Sequence, residues 1–245
     1  MEIRYHGHSC VEFHDGETRL LVDPFLAPNN PCAKATATDV EPTHIALTHG
    51  HADHLADVVE VAGRTGAQVV AIVELANWLE EQGVENVSDP NLGGTVRFDS
   101  LSIKLVPAWH TNTAPGSGGR PFSAGSGTAL GSAAGLIIRM GGITIYDAGD
   151  TCLFGDMELI GRRHGVDLAL LPVGGHYTMD REDAVYAAGL IGAKRVMPIH
   201  YNTFPAIETD IEAFGEELVS EGFEPVIIEP GEAASLQGPS ATTDR

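Results

Sequence analysis

The chain has 245 residues, 43% of them hydrophobic, and sets 14 Lys and Arg against 34 Asp and Glu for a net charge of −20. That composition supports one large domain with a substantial core and excludes a disordered or collagen-like chain. So acidic a surface repels phosphate backbones and anionic headgroups, which argues against nucleic acid or membrane partners.

The opening segment MEIRYHGHSCVEF carries no basic region leading into an apolar run, and no apolar stretch reaches membrane-spanning length; a cytoplasmic location is expected. Apolar and β-branched runs predict strands at 1–5, 10–14 and 18–22, separated by GHS and DGE turn signals, as an antiparallel meander. After a Pro- and Asn-containing loop at 27–42, a short strand at 45–47 leads into a helical period through Leu55, Val58, Val59 and Ala62. A second unit takes strand 69–72 and helix 75–82, followed by hairpin strands at 95–98 and 102–106. Residues 111–132 are rich in Gly, Ser and Pro with almost no large apolar side chain, and read as a flexible loop.

The second half repeats the scheme. Strands at 135–140 and 143–146 flank a Gly141-Gly142 turn, then come helix 157–163, strand 168–171, helix 181–191, strand 195–197, helix 207–221 and strand 224–228. Two similar halves predict a single α/β domain over 1–230, built as two facing sheets with outer helices and polar loops gathered at one edge. Residues 231–245 are left as a polar tail. Cys10, Cys32 and Cys152 lack CxxC spacing, so neither a disulfide framework nor a thiolate zinc knuckle is indicated.

The strongest chemical signal is THGHADH, which places His49, His51, Asp53 and His54 within six residues where a buried strand ends and a helix begins. Imidazole and carboxylate suit borderline and hard divalent ions, and a pair of such ions at hydrolytic spacing needs about seven protein ligands. The remainder should come from other strand ends. His110 after PAW, Asp150 in YDAGDT and His200 in MPIHYNTFP each follow a predicted strand.

The HxHxDH run, the later His110, the GDT aspartate and His200 resemble the metallo-β-lactamase superfamily over nearly the whole chain. GHSCVEF, PAWHT and MPIHYNTFP are similar to its small branch of metal-dependent hydrolases related to the L-ascorbate-6-phosphate lactonases. The resemblance implies a four-layer αβ/βα sandwich, with His49, His51 and His110 at one metal, Asp53, His54 and His200 at the other, and Asp150 bridging. It implies two divalent ions, zinc or manganese ahead of iron or nickel, and a metal-dependent hydrolase using hydroxide bound between them to cleave a small ester, lactone or phosphoester. His51 at the third motif position, where redox-active di-iron members resemble HxExDH, favours hydrolysis over oxygen reduction. The alternatives are a non-catalytic metal-binding scaffold or ligand sensor, and an iron-dependent oxidoreductase of the same fold.

The expected partner is a small-molecule substrate, with a homo-oligomer left open. Asp53 is a candidate to orient the attacking hydroxide, and His176, Tyr201 and His8 are the positional candidates for protonating the leaving group. Asp147 is expected beside the ligands, Asp23 as a loop brace and Cys152 as a small buried thiol. Arg120, the one cation of 111–132, either meets an anionic substrate group or is solvated. His6, His14, His44 and His164 fall outside the pattern and read as surface or structural.

Overall fold

A computed structural model describes residues 1–114 and 127–238 of the chain. Its first three strands, β1 (Glu2–Gly7), β2 (Cys10–Asp15) and β3 (Thr18–Val22), form the expected meander. Register is set by the alternation: Ile3 faces Phe13 and Tyr5 faces Val11 on the buried side, and a one-residue slip would turn all four to the other face. On that other face His6 is buried too, its Nε2 3.2 Å from Glu12 Oε2, a structural role.

The chain then switches to parallel pairing. Strands β4 (His44–Ala46), β5 (Gln68–Val70) and β6 (Val87–Ser88) follow one another across the sheet. They are connected by α1 (Ala52–Leu55), α2 (Val58–Thr65) and α3 (Val73–Glu81). The apolar period places Val58, Val61 and Ala62 of α2, and Leu75, Ala76 and Leu79 of α3, in the core. The single helix expected through 55–62 is two, because Asp57 at the break is held from a distance: its Oδ2 accepts Leu26 N–H at 2.6 Å and its Oδ1 accepts Asn29 Nδ2 at 2.8 Å.

The second half is built likewise from β7 (Thr95–Arg97), β8 (Leu101–Pro107), β9 (Ala134–Met140) and β10 (Ile143–Asp147), all antiparallel. Parallel strands β11 (Leu168–Pro172), β12 (Arg195–Ile199) and β13 (Glu224–Pro225) extend it, with α4 (Met157–His164), α5 (Arg181–Ile191) and α6 (Ile211–Ser220) between them. The helix expected over 207–221 is shorter: a 3-10 turn at Pro205–Ile207 comes first, and α6 starts only after Asp210, whose carboxylate caps it by accepting Ala213 N–H at 3.0 Å. The tail reading fails at β14 (Ala233–Ser235), which pairs with β1 through Ile3 and Ala234.

The result is two mixed seven-stranded sheets flanked by helices, ordered β14-β1-β2-β3-β4-β5-β6 and β13-β12-β11-β10-β9-β8-β7, the αβ/βα sandwich that the sequence implies. Residues of both sheets, from Phe13, Leu21 and Ile45 to Ile138, Leu170 and Ile199, merge into one core. The chain leaves β1 at His8, β3 at Asp23, β4 at Thr48, β8 at Trp109, β10 at Ala148 and β12 at His200; these exits supply the site. Among the described residues no helix is long and apolar enough to cross a membrane. Arg120 and the centre of the 111–132 loop lie outside the described residues, as does 239–245.

Candidate metal centre

Seven side chains from four chain segments converge. His49 Nε2 lies 3.0 Å from His51 Nδ1, which lies 3.3 Å from His110 Nε2. Asp150 Oδ2 faces this trio at 3.9 Å from His49 Nε2 and 3.6 Å from His110 Nε2. Asp150 also reaches His54 Nε2 at 3.4 Å through Oδ1 and His200 Nε2 at 3.1 Å through Oδ2, and Asp53 Oδ2 is 3.8 Å from His200 Nε2. Asp150 therefore stands between two groups, His49, His51 and His110 on one side and Asp53, His54 and His200 on the other.

These residues fit metal ions. Ligands about 2.0–2.1 Å from a tetrahedral ion sit roughly 3.4 Å apart, and the separations here bracket that value. Among the described residues, three buried donor atoms, Asp53 Oδ1, His54 Nε2 and Asp150 Oδ1, have no hydrogen-bond partner, which would be costly unless a cation satisfied them. His49, His51 and His110 form one set of atoms close enough to share an ion, and Asp53, His54, His200 and His8 form another.

One carboxylate outside this set orients two of the rings. Asp23 Oδ2 accepts the His54 Nδ1 proton at 2.7 Å and the Thr48 hydroxyl at 2.6 Å, while its Oδ1 accepts Thr48 N–H at 2.8 Å. With its hydroxyl proton committed to Asp23, Thr48 Oγ1 accepts from His49 Nδ1 at 3.0 Å. Both rings thereby keep a proton on Nδ1 and turn Nε2 toward the centre. Read from sequence as a loop brace, Asp23 is a ligand orienter. The signal that could have found it is its place at a strand end on the same edge as the motif.

Asn112 is a second support missed in sequence. Its Oδ1 accepts Gly50 N–H at 2.8 Å, and its Nδ2 donates to the Leu130 and Ser132 carbonyls at 2.8 and 3.0 Å. It ties both ends of the 111–132 segment to the HGHADH turn. A Cβ at Gly50 would press on the end of the Leu130 side chain, which would have to shift.

His8 lies under the second group. Its Nε2 is 3.0 Å from Asp53 Oδ2 and its Nδ1 3.0 Å from Thr203 Oγ1, so both ring nitrogens are engaged. His8, Asp23, His200 and Asn202 all have left-handed backbone, with φ of 61°, 46°, 55° and 53°. Such conformations in non-glycine residues cluster where surrounding structure enforces them.

The electrostatics divide along the same line. Burial pushes His49 well below the usual histidine range, with His54 adding to it, and burial and His110 bring His51 down to about 4. Burial also lowers His110, against the pull of Asp150. These three rings are neutral, as ligation requires. Burial works against charge at Asp150 and Asp53 too, but His200 and His54 beside the first, and His200 and His8 beside the second, hold both carboxyls well below the usual range. His54 and His200 rise despite burial, His200 to about 9, because Asp150 lies against both. An ion entering on that side displaces protons.

The remaining sequence candidates scatter. His176 is exposed on the loop between β11 and α5, which is stitched to the centre by Met179 N–H on the Thr151 carbonyl and Val173 N–H on the Ile199 carbonyl, both at 3.1 Å. Tyr201 is stacked on Tyr5 with its hydroxyl paired to that of Tyr5, and burial lifts it to about 12. Asp147 is buried, its Oδ1 accepting Gly149 N–H at 2.9 Å, and burial with the nearby Asp23 charge lifts it to about 7. Cys152, expected buried, is exposed, because the residues after Asp150 leave the sheet at the rim. Trp109, next to His110, is 66% exposed.

A family model described as Beta-lactamase superfamily domain matches residues 18–201. The chain is 44% identical to a UPF0173 metal-dependent hydrolase of Thermus thermophilus over 96% of its length and 99% of the relative's. It is 33% identical to a metallo hydrolase of known structure from the archaeon Ignicoccus hospitalis, with a TM-score of 0.85 over 97% of this chain and 99% of that one. A diiron β-hydroxylase from Streptomyces venezuelae, 16% identical with a TM-score of 0.72 over 96% of this chain and 54% of its own, shares the fold alone.

Proposed function

Because this chain belongs to the metallo-β-lactamase superfamily, we propose that it is a hydrolase whose His49, His51, His110, Asp53, His54, His200 and Asp150 hold two divalent ions to cleave a small ester, lactone or phosphoester. The observation that carries the reading is Asp150, buried between two clusters of imidazole and carboxylate that it faces at 3.1–3.9 Å. Within this proposal we place the chain beside the L-ascorbate-6-phosphate lactonases, which would narrow the substrate to a lactone, an ester closed on itself. Zinc or manganese is the preferred pair, since the donors are nitrogen and oxygen with no thiolate.

Bound in this set, divalent ions supply Lewis acidity, lowering the pKa of water toward neutrality and polarising a carbonyl or phosphoryl oxygen. The chain's own side chains do the rest. The Asp53 carboxylate, one of the ligands of the second ion, is also our candidate to orient the attacking water. His176, on the exposed loop after β11, is our candidate to protonate the departing oxygen. Trp109 gives the substrate's apolar portion a surface beside His110. No serine or cysteine nucleophile is needed.

Hydrolysis is preferred to iron-based redox chemistry because His51 supplies nitrogen to the trio where a carboxylate would suit a harder, redox-active ion. The test is metal content together with a panel of esters, lactones, phosphodiesters and β-lactams, assayed with Zn²⁺ and with Mn²⁺. About two ions per chain and turnover lost in His51→Ala are expected. Saturable binding of these compounds with no product would instead identify a scaffold or sensor.

A further inference from the structure

We propose that His8 is a positioning residue of the second metal, fixing Asp53 so that one carboxylate oxygen is held by the protein and the other is presented to the ion. This rests on the two-ion reading above and assigns its asymmetry to a residue outside the seven. A carboxylate only accepts hydrogen bonds, so the proton between His8 Nε2 and Asp53 Oδ2, 3.0 Å apart, belongs to the ring. Oδ2 is thereby occupied, while Asp53 Oδ1 has no partner and is buried. The ring's other nitrogen meets Thr203 Oγ1 at 3.0 Å, and Phe25 and Phe204 approach it edge-on with centroids at 5.4 and 5.7 Å. The imidazole is thus clamped on both edges.

The backbone of the same residue holds a second ligand. The His8 carbonyl accepts His200 N–H at 2.7 Å and the Tyr5 hydroxyl at 2.9 Å, and the His8 and His200 rings lie 4.1 Å apart. One residue from the β1–β2 turn therefore sets Asp53 through its ring and His200 through its carbonyl. His49, His51 and His110 have no contact with it, so only the second ion should depend on it. With both ring nitrogens committed, His8 has none to offer a leaving group, which removes it from the proton donors.

The experiment uses the full chain stripped of metal by chelation and titrated with Co²⁺, following visible absorption, with far-UV circular dichroism to confirm folding. Wild type should take two equivalents. His8→Leu should bind the first as wild type does and the second about 10–100-fold more weakly. His8→Gln, whose amide can donate from the position of Nε2, should restore the second. A folded His8→Leu chain with a wild-type isotherm overturns the proposal, and so does a His8→Gln chain as weak as His8→Leu, since that would make the ring itself a ligand. If His8→Leu does not fold, Thr203→Val decides: it should weaken the second ion alone, and an unchanged isotherm refutes the clamp. Wild type binding fewer than two ions sinks this inference with the two-ion reading, whereas two ions without turnover sink hydrolysis and leave His8 in place.

Discussion

Replacing Asp23 by Asn changes one atom and should weaken both metal sites. The backbone at Asp23 is left-handed, which Asn tolerates, so the exchange tests the side chain alone. Asp23 accepts three protons: Thr48 N–H on Oδ1, and the Thr48 hydroxyl and His54 Nδ1 on Oδ2. An amide can accept on one side only. If its NH2 takes the Oδ1 place, Thr48 N–H is left buried and unpaired, at a cost of about 1–3 kcal/mol. With the NH2 in the Oδ2 place, the Thr48 hydroxyl turns to His49 Nδ1, and His49 and His54 carry their protons on Nε2, His54 having lost the carboxylate that helps to keep it charged. The second arrangement wins, and it points N–H groups of His49 and His54 at the centre. Each ion should then bind about 10–100-fold more weakly, or about 1.4–2.7 kcal/mol, and metal-free protein should melt lower than wild type because the buried His54 loses its carboxylate partner. Chelator competition with Zn²⁺ reads the affinities and calorimetry the stability. An Asp23→Asn chain that binds two ions as tightly as wild type would refute the assignment of Asp23 as orienter of both rings.

Asp147, lifted to about 7, holds a proton in the folded chain that an unfolded one gives up near 3.9. Stability of the metal-free protein should therefore fall as pH rises from about 4 to about 7, by at most about 4 kcal/mol. Asp147→Asn should flatten that profile and melt higher than wild type at pH 8, whereas parallel profiles would contradict it. Asp150→Ala should fold, lose turnover and retain at most one ion, measured by elemental analysis. Stripping both metals should lower the melting temperature by about 10–20 °C relative to protein held at 100 times Kd for each site. In Gly161→Ala, a Cβ would run into the Ile191 carbonyl at the end of α5, so about 1–3 kcal/mol of stability should be lost with metal content unchanged.

What could be read from sequence was what local pattern encodes. Alternation gave β1 to β3 their places, and a strand followed by HGHADH announced a cluster. Pieces set by distant partners were hidden. No glycine or proline separates α1 from α2; the break follows from Asp57 reaching Leu26, 31 residues away. Strand β14 is Ala-Ala-Ser-like in its smallness and takes its conformation from β1. The supports of the centre are equally non-local: Asp23 meets His54 across 31 positions, His8 meets Asp53 across 45 and Asn112 meets Gly50 across 62. Residue types that coordinate metals identify themselves by clustering. Residues that aim them are ordinary side chains until the sheets bring them together.

The left-handed residues His8, Asp23 and His200 bear on how this protein can change. Each forgoes roughly 1–2 kcal/mol that glycine would recover, and each touches the centre. Glycine there would relax the backbone but delete a buried side chain and its hydrogen bonds, which offsets the gain. The strain cannot be removed without dismantling the centre, and an engineer seeking a hardier variant should look for it elsewhere, in the helices on the outer faces.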